Sequence, residues 1–229
     1  TDNLGFIIDG AGHTVTGSQT SGYDAIGVKT CNQCHTMGVK NLTITTFAYG
    51  IMSNFANGLT ISDVTVNNVG KSGMAIFGMD SHNLENNTVN SGGINVTGYN
   101  SSIGIGDGTC TGTGQYVSPG AMNAPIVIKN NRVHGGLGTS DGAGWCIDSN
   151  IVTGGSINIS YAWDQVSSQN HIIKNNAVTD SHPEILLPQF INRKSDNVYQ
   201  FGDKKYNISD NDLYIIGFGK AGATMSEVA

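Results

Sequence analysis

The chain has 229 residues, of which 32 are glycine and only 12% are charged, and its net charge is -6 at pH 7. Glutamate and arginine, which normally fill exposed helix faces, are rare, so the composition argues against a helical protein. The negative charge argues against nucleic-acid binding, which needs a basic patch. No apolar run reaches the roughly 18 residues of a membrane span. The length suits one domain, 1–229, with a sizeable core.

A six-residue motif with Asn or Asp at its third position recurs along the chain. The copies of the motif are Val39-Lys-Asn-Leu-Thr-Ile44, Ile61-Ser-Asp-Val-Thr-Val66, Leu84-Glu-Asn-Asn-Thr-Val89, Ile128-Lys-Asn-Asn-Arg-Val133, Ile173-Lys-Asn-Asn-Ala-Val178 and Ile208-Ser-Asp-Asn-Asp-Leu213. Successive third positions are 22, 23, 44, 45 and 35 residues apart. The first two steps are one repeat each, and the next two are either double steps or single coils that carry long inserts. A fixed period of roughly 22 residues indicates a solenoid.

Each copy of the motif favours a β-strand over a helix. Apolar and polar residues alternate, and many are β-branched, which is the period-two pattern of a strand. Asn or Asp at the third position suits a sharp turn, because these residues tolerate left-handed backbone angles. Stacked from coil to coil, these side chains can also form an amide ladder. The sequence therefore predicts an all-β fold, a right-handed parallel β-helix with coils of roughly 22 residues.

Cys31, Cys34 and His35 have the spacing of a c-type haem attachment motif. In such a motif the two thiols bond the haem vinyl groups and the histidine binds the iron. A short Cys31–Cys34 disulfide in a turn, or two free thiols, is the alternative interpretation. Calcium is a second candidate ligand, and no residues are assigned to it.

Three segments, 91–123, 135–155 and 181–205, interrupt the repeat and predict loop excursions from one flank. Such loops commonly form the binding surface of a solenoid. Cys110 and Cys146 lie in the first two segments and predict a disulfide between them, which an oxidising compartment would favour. Aromatic side chains in or beside the segments suit stacking on sugars or contacts with proteins, with packing onto the coil as the alternative. They are Tyr99, Tyr116, Trp145, Tyr161 and Trp163.

The sequence resembles the pectate-lyase-like superfamily. The resemblance is carried by the segment Phe6-Ile-Ile-Asp-Gly-Ala-Gly-His-Thr-Val-Thr-Gly17 and by the copies of the six-residue motif that follow it. The resemblance covers most of the chain from Gly5 to Leu213 and is greatest to the NosD-type β-helix repeat proteins of the cell surface and periplasm. It implies the parallel β-helix fold. Proteins with this repeat include polysaccharide lyases, glycoside hydrolases, adhesins and surface proteins, so the resemblance leaves the function open.

A polysaccharide lyase needs a base for the proton next to a uronate carboxylate and a cation that neutralises the carboxylate. One candidate group is Arg132, His134, Asp141 and Asp148, and a second is His182, Glu184, Arg193 and Lys194. Solvated surface charges are the alternative for both groups. The paired aspartates with Gly-His-Gly of β-helix galacturonases and the Asp-Pro-His sequence of mannuronate epimerases are missing. The sequence therefore leaves open whether the protein is an enzyme, a lyase or a glycoside hydrolase.

The composition fits an extracellular, cell-surface or periplasmic protein. No signal peptide is visible, and the chain reads as a processed or excerpted product. Asn-x-Ser/Thr tripeptides provide candidate glycosylation positions in a secreted protein. The six asparagines selected from these tripeptides are Asn41, Asn87, Asn95, Asn100, Asn158 and Asn207.

Three functional hypotheses follow. The leading one is a protein whose loop-decorated flank contacts polysaccharide or another surface component. The second is a structural subunit whose copies stack end to end into a filament or surface layer, because the ends of a β-helix present unpaired strand edges. The third is a c-type haem protein that uses the motif at Cys31 to His35.

Overall fold

The computed structural model describes residues 5–18, 25–30, 37–56, 58–78, 82–97, 116–118, 121–122, 126–140, 145–160, 171–179, 184–187, 192–195, 198–201, 204–209 and 214–217. Every regular element in these ranges is a β-strand. The same ranges contain no helix with the length and apolar character needed to cross a membrane.

The chain winds into coils of two or three strands joined by sharp corners. The strands, coil by coil, are β1 (Ile7–Asp9), β2 (Thr14–Thr16) and β3 (Ile26–Lys29); β4 (Gly38–Thr45) and β5 (Tyr49–Ala56); β6 (Thr60–Asn67) and β7 (Ser72–Gly78); β8 (Asn83–Glu85), β9 (Thr88–Val89) and β10 (Ile94–Thr97); β13 (Val127–Lys129), β14 (Arg132–His134) and β15 (Leu137–Ser140); β16 (Cys146–Asp148), β17 (Ile151–Thr153) and β18 (Ile157–Ser160); β19 (His171–Lys174), β20 (Ala177–Thr179) and β21 (Glu184–Leu187); and β24 (Lys204–Ser209) and β25 (Tyr214–Gly217). Two antiparallel pairs interrupt this order, β11 (Tyr116–Ser118) with β12 (Ala121–Met122), and β22 (Asn192–Ser195) with β23 (Val198–Phe201).

Strands of successive coils pair in parallel and form three faces. The first face contains β1, the first halves of β4 and β6, then β8, β13, β16, β19 and β24. The second contains β2, the second halves of β4 and β6, then β9, β14, β17 and β20. The third contains β3, β5, β7, β10, β15, β18, β21 and β25. Val39 pairs with Ile61 and Ile61 with Leu84, which are steps of 22 and 23 residues. The prediction of an all-β parallel β-helix is confirmed.

The core fills the inside of the coils because every second strand residue is apolar and points inward. On the second face the inward column is Ile44, Val66, Val89, Val133, Val152 and Val178, each at most 3% exposed. Full burial of one such side chain contributes about 1.5–3 kcal/mol. The alternation that predicted strands therefore also supplies the stacked core.

The corner between the first and second faces carries the left-handed residue that the sequence predicts. Asn41, Asp63, Asn86, Asn130 and Asn175 have φ angles of 52°, 55°, 58°, 56° and 55°. All five side chains are exposed. Asn41 and Asn175 donate to Asp9 and Asp148, and no hydrogen bond joins two of the five side chains to each other. The prediction that these residues form the amide ladder was therefore wrong.

The amide ladder is built by the next residue along the chain. Asn87, Asn131, Asn150 and Asn176 are each at most 1% exposed. The Nδ2 atoms of the first three donate to the Oδ1 of the following asparagine at 3.0 Å. All four also donate to a backbone carbonyl of the preceding coil at 2.9 Å. Where Leu42 and Val64 take this position, β4 and β6 continue through the corner as strands of eight residues.

The ladder also resolves the long steps of the repeat. Asn87 bonds directly to Asn131, so the step of 44 residues is one coil with an insert. Asn131 bonds to Asn150 and Asn150 to Asn176, so the step of 45 residues is two coils. The extra coil has Ser149, with φ 56°, where the other corners have Asn or Asp.

Of the three predicted excursions, 135–155 was wrong. It contains β15, β16 and β17, which are ordinary coil strands. The range 91–123 begins with the coil strand β10, and 181–205 contains the coil strand β21. The antiparallel pair β11–β12 lies inside the first range and forms a separate sheet, so it is an excursion from the coil. The pair β22–β23 lies inside the second range, but β23 pairs antiparallel with β24 and thereby extends the sheet of the first face.

Candidate functional site

The three longest connections of the fold each join a third-face strand to the first-face strand of the next coil. They link β10 to β13, β18 to β19 and β21 to β24. Because the coils stack in register, the starts and ends of these connections lie along one corner, which we call the connection corner. This arrangement agrees with excursions from a single flank.

Most of the aromatic candidates belong to these connections. Tyr99 lies between β10 and β11, Tyr116 begins β11, and Tyr161 and Trp163 lie between β18 and β19. Tyr99, Tyr161 and Trp163 fall outside the described residues, and of Tyr116 only the strand is described. Trp145 is the exception, because it is 1% exposed and packs in the core. Its predicted role as an exposed contact for sugars was wrong.

Cys146 lies on the outer side of the first face and is nevertheless 1% exposed. Its neighbour on the preceding coil, Val127, also points away from the core and is 2% exposed. This part of the first face is therefore covered. Cys146 is disulfide-bonded, whereas Cys31, Cys34, His35 and Cys110 fall outside the described residues. The Cys110–Cys146 pairing and the choice between haem and a disulfide at Cys31 and Cys34 stay predictions.

Loss of the bond at Cys146 should destabilise the fold. We expect the Cys110→Ser/Cys146→Ser variant to lose about 2–5 kcal/mol of unfolding free energy, because the bond constrains the unfolded chain. Denaturant titration of the oxidised proteins measures this loss. Peptide mapping without reductant identifies the partner, and a Cys146 peptide linked to Cys31 or Cys34 would contradict the predicted pairing.

The first catalytic group is divided between two faces. Arg132 and His134 are exposed on the second face, and Asp148 lies on the outer side of the first. Asp148 accepts hydrogen bonds from Ser149 Oγ and Asn175 Nδ2, both at 2.9 Å, and its Oδ2 is 3.7 Å from Lys174 Nζ. Because Asp148 is already bonded on another face, it cannot act together with His134 on one substrate atom.

His134 is exposed on the second face, and its Nδ1 lies 3.1 Å from Thr153 Oγ1. Thr153 Oγ1 also lies 3.4 Å from the Val133 carbonyl. The hydroxyl has one proton to donate, so the tautomer of His134 decides which of these two contacts it donates to.

The remaining catalytic candidates have no described side chain. Asp141 and His182 fall outside the described residues. Glu184 lies in β21, and Arg193 and Lys194 lie in β22, where only the strands are described. Their proposed chemistry stays a prediction. Among the described residues, no group of three His, Cys, Asp or Glu side chains is arranged to hold a metal ion.

A column of alternating charge follows the outer side of the first face. Paired positions on successive coils are Asp9, Lys40, Ser62, Glu85, Lys129, Asp148 and Lys174. Ion pairs of 3.2, 3.0 and 3.7 Å join Asp9 to Lys40, Glu85 to Lys129 and Asp148 to Lys174. The Ala11 N–H, then Asn41 and Lys40, hold the pKa of Asp9 below its usual value. Each lysine of this column is therefore matched by a carboxylate on a neighbouring coil.

Two rows of uncharged polar side chains follow the outer side of the second face. The rows, which we call the threonine–asparagine rows, are Thr14, Thr43, Thr65 and Thr88, and Thr16, Thr45, Asn67 and Asn90. Asn90 Nδ2 donates to Asn67 Oδ1 at 2.7 Å. On the next coil Arg132 and His134 continue the rows. The sequence analysis missed this surface, although Thr-x-Thr and Thr-x-Asn after each corner were a visible signal.

The core contains one histidine that the sequence analysis also missed. His82 is fully buried in a column with Leu59 and Ile126. Its Nδ1 accepts a hydrogen bond from the Leu59 N–H at 3.3 Å, and its Nε2 has no partner in the described part of the chain. Burial lowers the pKa of His82 to about 4. The ring is therefore neutral at pH 7.

The candidate glycosylation positions differ in exposure. Asn41, Asn95 and Asn158 are exposed, whereas Asn87 is a buried rung of the ladder. Assignment of a glycan to Asn87 was wrong, because the tripeptide that ends at Thr88 begins at Asn86. Asn100 falls outside the described residues, and only the strand is described at Asn207.

The architecture agrees with the fold that the resemblance to the pectate-lyase-like superfamily implies. Repeated parallel coils and three faces are properties of a parallel β-helix in general, so they do not identify one family. Comparisons with known protein families, with curated proteins and with solved structures find no match.

Proposed function

We propose that this protein is an extracellular or cell-surface β-helix protein of the pectate-lyase-like, NosD-type kind, and that its connection corner contacts polysaccharide or another surface component. The observation that carries the proposal is the common origin of the long connections. The three longest of them start and end along one corner of stacked coils. Segments projected from neighbouring coils can meet one long ligand together, which is how solenoids build extended binding surfaces.

The residues of the connections support a sugar ligand. Tyr99, Tyr116, Tyr161 and Trp163 belong to two of the connections. Flat aromatic rings pack on the apolar faces of sugars, while the Tyr hydroxyl and Trp N–H bond to sugar hydroxyls. Arg193 and Lys194 lie in β22, the edge strand that β23 joins to the first-face strand β24, and their charges suit acidic groups on the ligand.

Removal of the aromatic rings tests the proposal. We expect Tyr161→Ala/Trp163→Ala to weaken retention on immobilised polysaccharides by about tenfold or more, because buried aromatic anchors dominate such contacts. The measurement is affinity electrophoresis of the full chain through gels that contain individual neutral or acidic polysaccharides.

Tyr49→Ala is the matched control, because Tyr49 is an aromatic residue of β5 on the third face, where Lys71 Nζ lies 5.5 Å from its ring centre. Retention should be unchanged in this variant. Equal mobility of all three proteins in every gel, with the coil intact by circular dichroism, would refute a sugar-binding role for the connection corner.

A further inference from the structure

We propose that the threonine–asparagine rows bind a neutral, extended polysaccharide chain that lies along the axis of the coils. This surface is distinct from the connection corner. The corner lies where the third and first faces meet, and the rows lie on the second face, which does not reach that corner. The inference therefore adds a second binding surface on the opposite side of the molecule.

The spacing of the rows fits an extended polymer. Side chains of one row lie one strand apart, about 4.7–4.9 Å, since they occupy paired positions on neighbouring coils. The two rows are about 6.6–6.8 Å apart, because their members are two residues apart on each strand. The first distance is close to the length of one sugar ring in an extended chain. Each coil can thus meet one sugar, with one polar group on either side of the chain.

The side chains of the rows are held in place before any ligand binds. Threonine is β-branched and has few χ1 rotamers available in a strand. The 2.7 Å hydrogen bond between the amides of Asn67 and Asn90 fixes two members of the second row. A preorganised surface loses little side-chain entropy when it binds. Hydroxyl and amide groups both donate and accept hydrogen bonds, as sugar hydroxyls do.

The charge pattern favours a neutral polymer. The rows contain no charged residue from β2 to β9, although they are open to solvent to varying degrees. On the adjoining first face, Lys40, Lys129 and Lys174 are each paired with a carboxylate. A polyuronate needs uncompensated cations along its length, and those coils of the second face offer none. Arg132 and His134 mark the end of the uncharged surface.

The first variant changes one hydroxyl while it preserves shape. Thr65→Val keeps the β-branched side chain of a central row position, so the coil should fold unchanged. We expect retention of the full chain on insoluble xylan, glucan or galactan to fall by about threefold to tenfold, which corresponds to one lost hydrogen bond. Retention on polygalacturonate is measured in parallel.

The second variant blocks the surface, and its control tests for a nonspecific effect of charge. Thr43→Arg places a long cation across both rows, whereas Asn158→Arg places the same side chain at an exposed position of the third face. We expect at least about tenfold weaker retention on the neutral polymer for Thr43→Arg only. Thr43→Arg should weaken retention by the same factor when it is introduced into the Tyr161→Ala/Trp163→Ala variant, which separates the rows from the connection corner.

Three outcomes would overturn the inference. The first is no retention of the native chain on any of the three neutral polymers. The second is retention on the neutral polymers that Thr65→Val and Thr43→Arg leave unaltered, or retention on polygalacturonate that these two variants weaken equally. The third is inhibition of ice recrystallisation without polymer binding, because a regular hydroxyl array of this spacing would then match the ice lattice instead.

Discussion

Asn131→Ala should lower the free energy of unfolding by about 3–5 kcal/mol, since it removes a central rung of the buried ladder. The Asn131 side chain donates to Leu84 O at 2.9 Å and to Asn150 Oδ1 at 3.0 Å. Its Oδ1 accepts from both nitrogens of Asn87, at 2.9 and 3.0 Å. Alanine leaves the Leu84 carbonyl and the Asn87 N–H without these bonds in a place that water does not reach. Each buried group that loses its partner costs about 1–3 kcal/mol.

Denaturant titration with circular dichroism measures the effect on Asn131→Ala. Asn158→Ala is the control, because Asn158 is an exposed asparagine on the outer side of β18 and should change stability by less than about 0.5 kcal/mol. Equal losses in the two variants would contradict a structural role for the ladder. The sum of losses for Asn87→Ala and Asn131→Ala should exceed the loss of the double variant, since the two residues share bonds.

Acidification should destabilise the protein through His82, and His82→Leu should remove that part of the pH dependence. The pKa of His82 is lowered from 6.5 to about 4 by burial. Between these values the unfolded chain binds a proton at His82 and the folded chain does not. Stability therefore rises with pH across this window and is lost as pH falls toward 4. A difference of this size corresponds to about 3 kcal/mol.

Leucine fits the neighbours of His82, because Leu59 and Ile126 occupy the same column on the adjoining coils. The measured quantity is the difference in unfolding free energy between pH 7 and pH 4.5. His82→Leu should reduce this difference by about 2–3 kcal/mol relative to the native chain. His13→Gln, at an exposed position near the corner after β1, should leave the difference unaltered. An unchanged pH difference in His82→Leu would show that His82 is protonated in the folded state or is accessible to water.

The repeat and its corner residues could be predicted because both depend on local preferences. Period-two alternation selects strands, and Asn or Asp at a fixed position selects a left-handed corner. The position of the ladder could not be read in the same way. In the pair Asn130-Asn131 the two residues are identical in type, and only the three-dimensional alternation of the coil decides which one is buried.

The missed coil and the misassigned tryptophan have a common physical origin. Ser149 takes the corner position that Asn or Asp occupies in the other coils, so the copy of the motif around Ile147 was not recognised as a repeat. Gly142 and Gly144 before Trp145 suggested a loop, yet Trp145 precedes a coil strand and fills the core. Arg132, His134 and Asp148 are close in sequence and face different directions, because a corner separates their strands. Spacing along the chain therefore does not predict a shared site in a coil.

The alternating column on the first face limits how the number of coils can change by duplication or deletion. Removal of the coil that carries Lys129 would set Glu85 opposite Asp148, and like charges in directly opposed positions destabilise a sheet. Removal of that coil together with the next would set Glu85 opposite Lys174 and preserve the alternation. The asparagine ladder accepts either change, since any rung can bond to any other. In this part of the protein, coils should therefore be gained or lost in pairs.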